Sequence, residues 1–249
     1  MIKSIHIMYN LSILGHDNSS ASISRLHGKS SCNTYLTDIN AQALFAHYKW
    51  HFRAKRCVDV LGASTGLLIL APVLLLIALF IRIESKGSPL FSQLRWGMGG
   101  KKIRVYKFRS MRADLGDPTG VKQTIKGDPR ITRVGAILRK TNLDELPQLI
   151  NVLKGDMSLV GPRCHAIGML AGGKPYEELV PNYHRRHIVR PGLTGLAQMR
   201  GLRGPTDNAA KARARVYCDL YYIRNFSFVF DLGILIGTAV SEFRGGKGF

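Results

Sequence analysis

Two adjacent carboxylates, Asp144 and Glu145, are the residues of this chain best suited to chemistry. They follow Arg139 and Lys140 in the run RKTNLDELPQLINVLKGDMSLVGPR, residues 139–163. A carboxylate that basic neighbours keep ionised can act as a nucleophile toward phosphorus. A second carboxylate can hold Mg²⁺, which typically binds through one or two carboxylates together with substrate phosphates. The pair therefore indicates a site that handles phosphate and a metal ion.

A helix is predicted to begin at the acidic pair. Pro147 is tolerated only in the first turn of a helix, so the helix is expected to start near Leu143 or Asp144 and to stop at Gly155. Such an N-terminus attracts phosphate through its dipole and its free N–H groups. The same physics leaves a structural alternative, in which acidic residues merely favour that end of a helix. The apolar face of this helix consists of Leu146, Leu149, Ile150 and Leu153.

The charge of the chain calls for an anionic partner. Its 249 residues include 36 Lys or Arg and 16 Asp or Glu, a formal net charge of +20. Nucleic acid, anionic lipid and a phosphorylated substrate are the candidate partners. Residues 95–140 hold thirteen basic and three acidic residues. Most of these basic residues are expected to face solvent or lipid, and a few could clamp a diphosphate.

One segment is apolar enough to enter a membrane. Residues 60–81 carry no charge, and a straight helix of this length measures roughly 33 Å, against about 30 Å for a hydrocarbon core. A spanning helix is one interpretation. The other is a re-entrant hairpin, because basic residues flank both ends of the segment and Pro72 favours a kink near its middle. These patterns alone leave the two alternatives open.

The remaining chain divides into a leader and a folded region. Residues 1–50 contain scattered serines and little periodicity, which predicts a variable and poorly ordered leader. From Gly87 onward the pattern is that of a compact α/β domain, with a strand predicted at residues 102–108. Four cysteines show no metal-ligand spacing and indicate reduced thiols that face the cytoplasm.

Five motifs give the chain a close resemblance to a known family. In order, they are KRCVDV, YKFRSM, DELPQLINVLKGDMSLVGPR, RPGLTGLAQ and DLYYIRNFSFVFDL. This combination resembles the bacterial sugar transferases, the monotopic polyprenyl-phosphate phosphoglycosyl transferases. The resemblance covers residues 55–240, about three quarters of the chain.

The resemblance implies a fold class and a location. Relatives of this kind join a re-entrant membrane helix hairpin, kinked at a proline, to a small, mostly helical α/β catalytic domain with interfacial helices. The hairpin would occupy residues 51–86 with its kink at Pro72, and the cytoplasmic domain would occupy residues 87–249. The expected location is the cytoplasmic face of the bacterial inner membrane.

The resemblance also implies an activity. Such enzymes transfer a hexose-1-phosphate from a UDP-sugar to undecaprenyl phosphate, release UMP, use Mg²⁺ and start the assembly of exopolysaccharide or surface polysaccharide repeat units. Asp144 would form the covalent phosphosugar intermediate, and Glu145 would help to bind Mg²⁺. UDP-glucose or UDP-galactose is the expected donor. Anionic membrane lipid and a second copy of the chain are further expected partners.

Five basic residues are the predicted substrate-binding groups by the same resemblance. The chain departs from the family at one position and is less typical of it over residues 171–176 and 199–216. Cys164 follows the GPR element where relatives usually have proline. The predicted substrate-binding residues are Lys107, Arg109, Arg139, Arg163 and Arg190.

Two alternatives compete with an enzyme. A membrane-tethered nucleic-acid-binding protein would suit the net charge, but residues 95–140 contain few aromatics to stack on bases, so no nucleic-acid partner is expected. A scaffold without catalytic activity is the other alternative, and the intact acidic pair disfavours it.

Overall fold

A computed structural model describes residues 48–112 and 127–243 of the chain. The predicted leader, residues 1–50, lies outside the described residues except for its last three positions. The described part is a helix-rich mixture of α and β structure, in agreement with the predicted class. The helices are α1 (Lys49–Glu84), α2 (Arg133–Lys140), α3 (Gln148–Lys154), α4 (Tyr176–Leu179), α5 (Leu196–Met199), α6 (Ala209–Arg224) and α7 (Phe228–Phe243). The strands are β1 (Leu90–Trp96), β2 (Lys102–Phe108), β3 (Ser158–Val160), β4 (Leu170–Ala171), β5 (Lys174–Pro175) and β6 (Gly192–Thr194).

Helix α1 contains the predicted membrane segment. It is a single helix of 36 residues with Pro72 inside it, and its length and composition suffice to cross a membrane. One face packs on the rest of the fold: Ala63 contributes to one core cluster, and Ile77 and Ile81 contribute to another. Most of its other face exposes large aliphatic side chains, among them Leu68 at 78%. One face of the helix therefore packs against the protein, and the opposite face presents apolar side chains to its surroundings.

Strands β1 and β2 form an antiparallel hairpin that leads into the site. Leu90 pairs with Phe108 and Trp96 pairs with Lys102, so the strand predicted at residues 102–108 is confirmed over its whole length. Val105 is buried against α3, while Lys107, two residues farther on, lies beside the acidic pair. The hairpin thus carries a lysine from the sheet to the site.

Strands β3 and β6 form a short parallel pair that joins two of the sequence motifs. Ser158 pairs with Gly192 and Val160 pairs with Thr194. A Cβ atom on Gly192 would lie 2.1 Å from the main-chain nitrogen of Gly161. The two motifs need glycine here because their main chains cross with no room for a side chain.

The acidic pair precedes its helix instead of starting it. Asp144 and Glu145 lie in the 3-10 turn Leu143–Glu145, and α3 begins later, at Gln148. The predicted helix start near Leu143 or Asp144 is therefore wrong, whereas the stop at Gly155 is confirmed by its left-handed conformation, φ 84°. Asn142 also has a left-handed conformation, which reverses the chain after α2 and forms a separate turn.

Candidate active site

The acidic pair opens into a large cavity of about 980 Å³. Its wall includes a group of charged residues around the acidic pair, called the basic side here, and a group of apolar residues, called the apolar side. The predicted residues at the basic side are Lys107, Arg109, Arg139, Asp144, Glu145 and Arg163. Leu193, Ala197, Leu202, Leu235 and Ala239 contribute to the apolar side. The six come from three separate stretches of sequence, residues 107–109, 139–145 and 163, so the fold itself assembles the basic side.

Asp144 is the open carboxylate of the site. Its side chain is buried, and no group in the described part of the chain donates a hydrogen bond to it. Burial raises the pKa of Asp144, and the positive charge of Lys107 opposes that rise. A desolvated carboxylate with free lone pairs has the character of a nucleophile.

Glu145 has a different environment from its neighbour. Lys107 donates to its Oε1 at 2.7 Å. Arg163 donates Nη1 to its Oε2 at 3.0 Å and Nη2 to its Oε1, a bidentate pairing. Although burial raises the pKa of Glu145, Arg163 and Lys107 outweigh burial and hold that pKa well below its ordinary range. Glu145 therefore organises two cations beside Asp144.

Arg139 reaches the site from the last turn of α2. Its Nε donates to the Ser110 hydroxyl at 3.0 Å, which orients the guanidinium from the end of β2. The two elements lie unusually close, since a Cβ atom on Gly135 would lie 2.0 Å from the main-chain oxygen of Ser110. Burial lowers the pKa of Arg139, and the negative charge of Asp144 opposes that change.

Two of the predicted substrate-binding arginines have structural partners. Arg109 lines the cavity, but its guanidinium donates to the main-chain oxygens of Ser85 at 2.6 Å and Lys86 at 2.8 Å, where it caps the end of α1. Arg190 does not line this cavity and donates to the main-chain oxygen of Gly155 at 2.8 Å. The other predicted residues do converge on the acidic pair.

A further set of polar residues lines the cavity wall, and none of them is among the site residues predicted from the sequence. Gln198 and Asp219 belong to two of the five motifs, and His165 lies two residues after the GPR element, so position in or beside a motif is the signal that points to them. Arg203 and Arg215 come from the segment where the family resemblance is weaker. The residues of this set are His165, Gln198, Arg203, Arg215 and Asp219.

A buried ion pair between Arg186 and Asp219 holds the main chain of Arg163 in place. Arg186 is 1% exposed and donates twice to Asp219 Oδ2, at 3.0 Å from Nε and 2.6 Å from Nη2. The same Nη2 donates to the main-chain oxygen of Arg163 at 2.5 Å. The pair therefore fixes the main chain of the residue whose guanidinium holds Glu145.

The acidic pair can hold Mg²⁺ only under one condition. Within the described ranges, no three His, Cys, Asp or Glu side chains group to hold a metal ion. Mg²⁺ needs only one or two carboxylates when substrate phosphates and waters complete its shell. Asp144 is open, but both oxygens of Glu145 already accept from cations. Asp144 offers open oxygen atoms to Mg²⁺, and Glu145 would join it only by exchanging a bond to Lys107 or Arg163 for one to the metal.

Comparison with known proteins identifies the family. The model for the bacterial sugar transferase family matches residues 50–245. An exopolysaccharide production protein, PSS, of Rhizobium leguminosarum bv. phaseoli is 66% identical over 195 residues, which cover 78% of this chain and 98% of that protein.

Longer relatives share the same region. The UDP-glucose:undecaprenyl-phosphate glucose-1-phosphate transferase of Escherichia coli K12 is 48% identical over 189 residues, 76% of this chain and 40% of that protein. The UDP-N-acetylgalactosamine-undecaprenyl-phosphate N-acetylgalactosaminephosphotransferase of Aeromonas hydrophila is 41% identical over 184 residues, 74% of this chain and 42% of that protein. The chain thus spans about two fifths of the length of these two relatives. The resemblance is confirmed, and the chain belongs to the bacterial sugar transferase family.

Proposed function

We propose that the protein transfers a hexose-1-phosphate from a UDP-sugar to undecaprenyl phosphate and thereby starts an exopolysaccharide repeat unit. One observation carries the proposal: Asp144, a buried carboxylate to which no described group donates a hydrogen bond, lies next to a carboxylate that binds Lys107 and Arg163. This arrangement supplies a nucleophile and the positive charge that a diphosphate requires. The names of the relatives supply the two substrates.

The first step forms a covalent intermediate. A carboxylate oxygen of Asp144 attacks the β-phosphorus of the UDP-sugar, and the bond from that phosphorus to the bridging oxygen breaks. UMP leaves with the bridging oxygen and its electron pair, and the sugar phosphate stays on Asp144 as an acyl phosphate. Lys107, Arg139 and Arg163 stabilise the charge that develops on the phosphate oxygens.

The second step returns the enzyme to its starting state. A phosphate oxygen of undecaprenyl phosphate attacks the same phosphorus, and the bond to Asp144 breaks. The carboxylate is regenerated, and the product is a lipid diphosphate that carries the sugar. In the structure Glu145 holds Lys107 and Arg163 beside Asp144, where both cations can stabilise the phosphate oxygens.

Mg²⁺ belongs to this proposal as the expected cofactor. When bound, it would neutralise charge on the diphosphate. Asp144 and Glu145 are the residues that would hold it, with Glu145 as the predicted ligand.

The contacts of α1 support insertion of this helix from one side of the membrane. Near its start, Lys55 donates to Asp231 at 2.8 Å, and at its end Glu84 accepts from the main chain of Arg133 at 2.7 Å. A helix that crosses about 30 Å of hydrocarbon would carry its ends to opposite sides. Both ends contact the same folded unit, so we place α1 in one leaflet on the cytoplasmic side, with Pro72 as the site of the predicted re-entrant kink.

Thiol labelling tests this placement of α1. Cys57 is an exposed natural cysteine near the start of the helix, and Lys86→Cys adds one just after its end. A membrane-impermeant reagent is expected to label both from the cytoplasmic side of inverted vesicles. Labelling of the two positions from opposite sides would show a spanning helix.

Release of UMP tests the proposed activity. The full chain in lipid nanodiscs with undecaprenyl phosphate should release UMP from at least one of UDP-glucose, UDP-galactose and UDP-N-acetylgalactosamine. The panel is needed because the relatives act on different sugars. Chelation of divalent cations should stop release, and added Mg²⁺ should restore it. Absence of UMP release across the panel would contradict the proposed function, and undiminished release in chelator would contradict the Mg²⁺ requirement.

The pH dependence of the first step should follow the ionisation of Asp144. The nucleophile must be ionised, so the rate falls as pH drops through the pKa of Asp144. Burial raises that pKa, which moves the fall above the value of about 3.9 that is typical of an exposed aspartate. Lys107 is the strongest opposing charge, and Lys107→Met is therefore expected to move the fall to still higher pH.

A single-turnover measurement of intermediate formation against pH checks this shift. Lys154→Met is the matched control, because Lys154 is 52% exposed and lies outside the cavity wall. A profile of Lys107→Met that coincides with the wild-type profile would show that Asp144 does not set the acid limb.

A further inference from the structure

We propose that the apolar side of the cavity binds the first isoprene units of the lipid acceptor. Ala239 lies at the threshold, the point where the cavity wall meets the outer surface of α7. This inference rests on the proposed function, because it names the place of one substrate in the same site. It follows from α7, which contributes both to the cavity and to an apolar surface outside it.

One face of α7 lines the cavity. Its residues follow a helical spacing of three and four and are Leu235, Thr238, Ala239 and Glu242. Glu242 accepts from Asn142 at 3.2 Å, and Asn142 immediately precedes the 3-10 turn that holds Asp144. Ala239 therefore lies about one helical turn from the point where α7 meets the catalytic turn.

The adjacent face of α7 is an exposed apolar stripe. Val229 and Ile236 are 67% and 66% exposed, and Leu232 and Val240 continue the stripe along the helix. Helix α7 also packs beside α1, the helix predicted to enter the membrane. Large exposed aliphatic side chains on both helices form a surface that suits lipid.

Ala239 joins the stripe to the cavity. At 100° per residue, its position on the helix falls between Leu235, inside the cavity, and Ile236, outside it. It is exposed and also lines the cavity. Leu193 and Ala197 add further apolar surface to the cavity wall. Apolar side chains thus line both the outer stripe and part of the cavity wall, and Ala239 lies between the two.

The chemistry of the two substrates indicates which of them binds against the apolar side of the cavity. A UDP-sugar carries phosphates and hydroxyl groups around most of its surface, and those groups match the basic side of the cavity. The acceptor joins a phosphate directly to an isoprenoid chain, so it needs charge at Asp144 and apolar contact within a few ångströms of it. The cavity offers both, and we assign the apolar wall to the acceptor.

Separate measurement of the two half-reactions distinguishes an effect on the acceptor site from an effect on the donor site. Ala239→Trp narrows the threshold without touching the basic side. The full chain in nanodiscs should therefore form the phosphosugar intermediate at a rate within about twofold of wild type. Transfer to undecaprenyl phosphate should fall at least about tenfold in kcat/KM, since occupied volume in an apolar pocket discriminates on that scale.

Two controls make the result specific. Ile137→Trp adds the same side chain at an exposed position of α2 that does not line the cavity, and it should leave both half-reactions unchanged. Farnesyl phosphate, a short acceptor that keeps the first isoprene units, should lose as much transfer with Ala239→Trp as undecaprenyl phosphate does.

Several outcomes would overturn the assignment. Equal loss in both half-reactions would mean that the wall serves the donor. An unchanged transfer rate, or a loss confined to undecaprenyl phosphate, would mean that the threshold does not seat the first isoprene units. A wild-type chain that forms no intermediate at all would instead refute the covalent mechanism of the proposed function.

Discussion

Replacement of Asp144 by asparagine is expected to lower turnover by at least about three orders of magnitude, the scale on which loss of a catalytic nucleophile acts. The substitution keeps the size and shape of the side chain and removes the negative charge. No described group donates a hydrogen bond to Asp144, so the fold should tolerate the change. UMP release with a UDP-sugar and undecaprenyl phosphate measures the effect.

Asp207→Asn is the matched control for this variant. Asp207 is exposed, accepts from the main chain of Asn208 at 3.1 Å and does not line the cavity. Its replacement should leave turnover unchanged. Full turnover by Asp144→Asn would refute a covalent role for this carboxylate and would direct attention to Glu145.

Loss of Asp219 should destabilise the protein more than loss of any exposed acidic residue. Arg186 is 1% exposed, and Asp219→Asn leaves its guanidinium without a counter-charge. Breaking a buried pair in this way costs about 3–5 kcal/mol. For a chain of this size, the midpoint of thermal unfolding should fall by about 10 °C. The control is Asp156→Asn, which removes a partly exposed pair with Lys154 and should cost less than about 1 kcal/mol.

A double replacement of Arg186 and Asp219 separates the effect of their ion pair on stability from its effect on activity. Arg186→Met combined with Asp219→Leu removes both charges and keeps apolar volume, so much of the lost stability should return. Arg186 also donates to the main-chain oxygen of Arg163, and the double variant cannot restore that bond. Recovered stability with persistently low activity is therefore expected. Full recovery of both would show that the buried pair does not position Arg163.

Local patterns predict part of the structure near the acidic pair. The alternation of apolar and basic residues predicted β2 over its full length, and Gly155 marked the end of α3 because a left-handed residue is needed there. The same reasoning placed the start of α3 too early. Pro147 limits where a helix can begin but does not show that Asn142 reverses the chain and forms a separate 3-10 turn.

Long-range pairings determined the parts that the sequence could not predict. Lys107 and Arg163 lie far from Glu145 in the chain, and only the β1–β2 hairpin and the β3–β6 pair bring them to it. Arg109 caps α1 because β2 ends beside the end of that helix. Motif membership identified these residues as important, but the choice between a substrate contact and a structural contact depends on the fold.

The central claim is that a sugar phosphate becomes attached to Asp144. The direct measurement is the intact mass of the full chain after incubation with UDP-glucose or another active UDP-sugar in the absence of lipid acceptor, followed by mapping of the modified peptide. The mass should increase by one hexose phosphate, the adduct should map to Asp144, and undecaprenyl phosphate should remove it. Steady transfer to the lipid without any adduct, or an adduct on a residue other than Asp144, would contradict the mechanism.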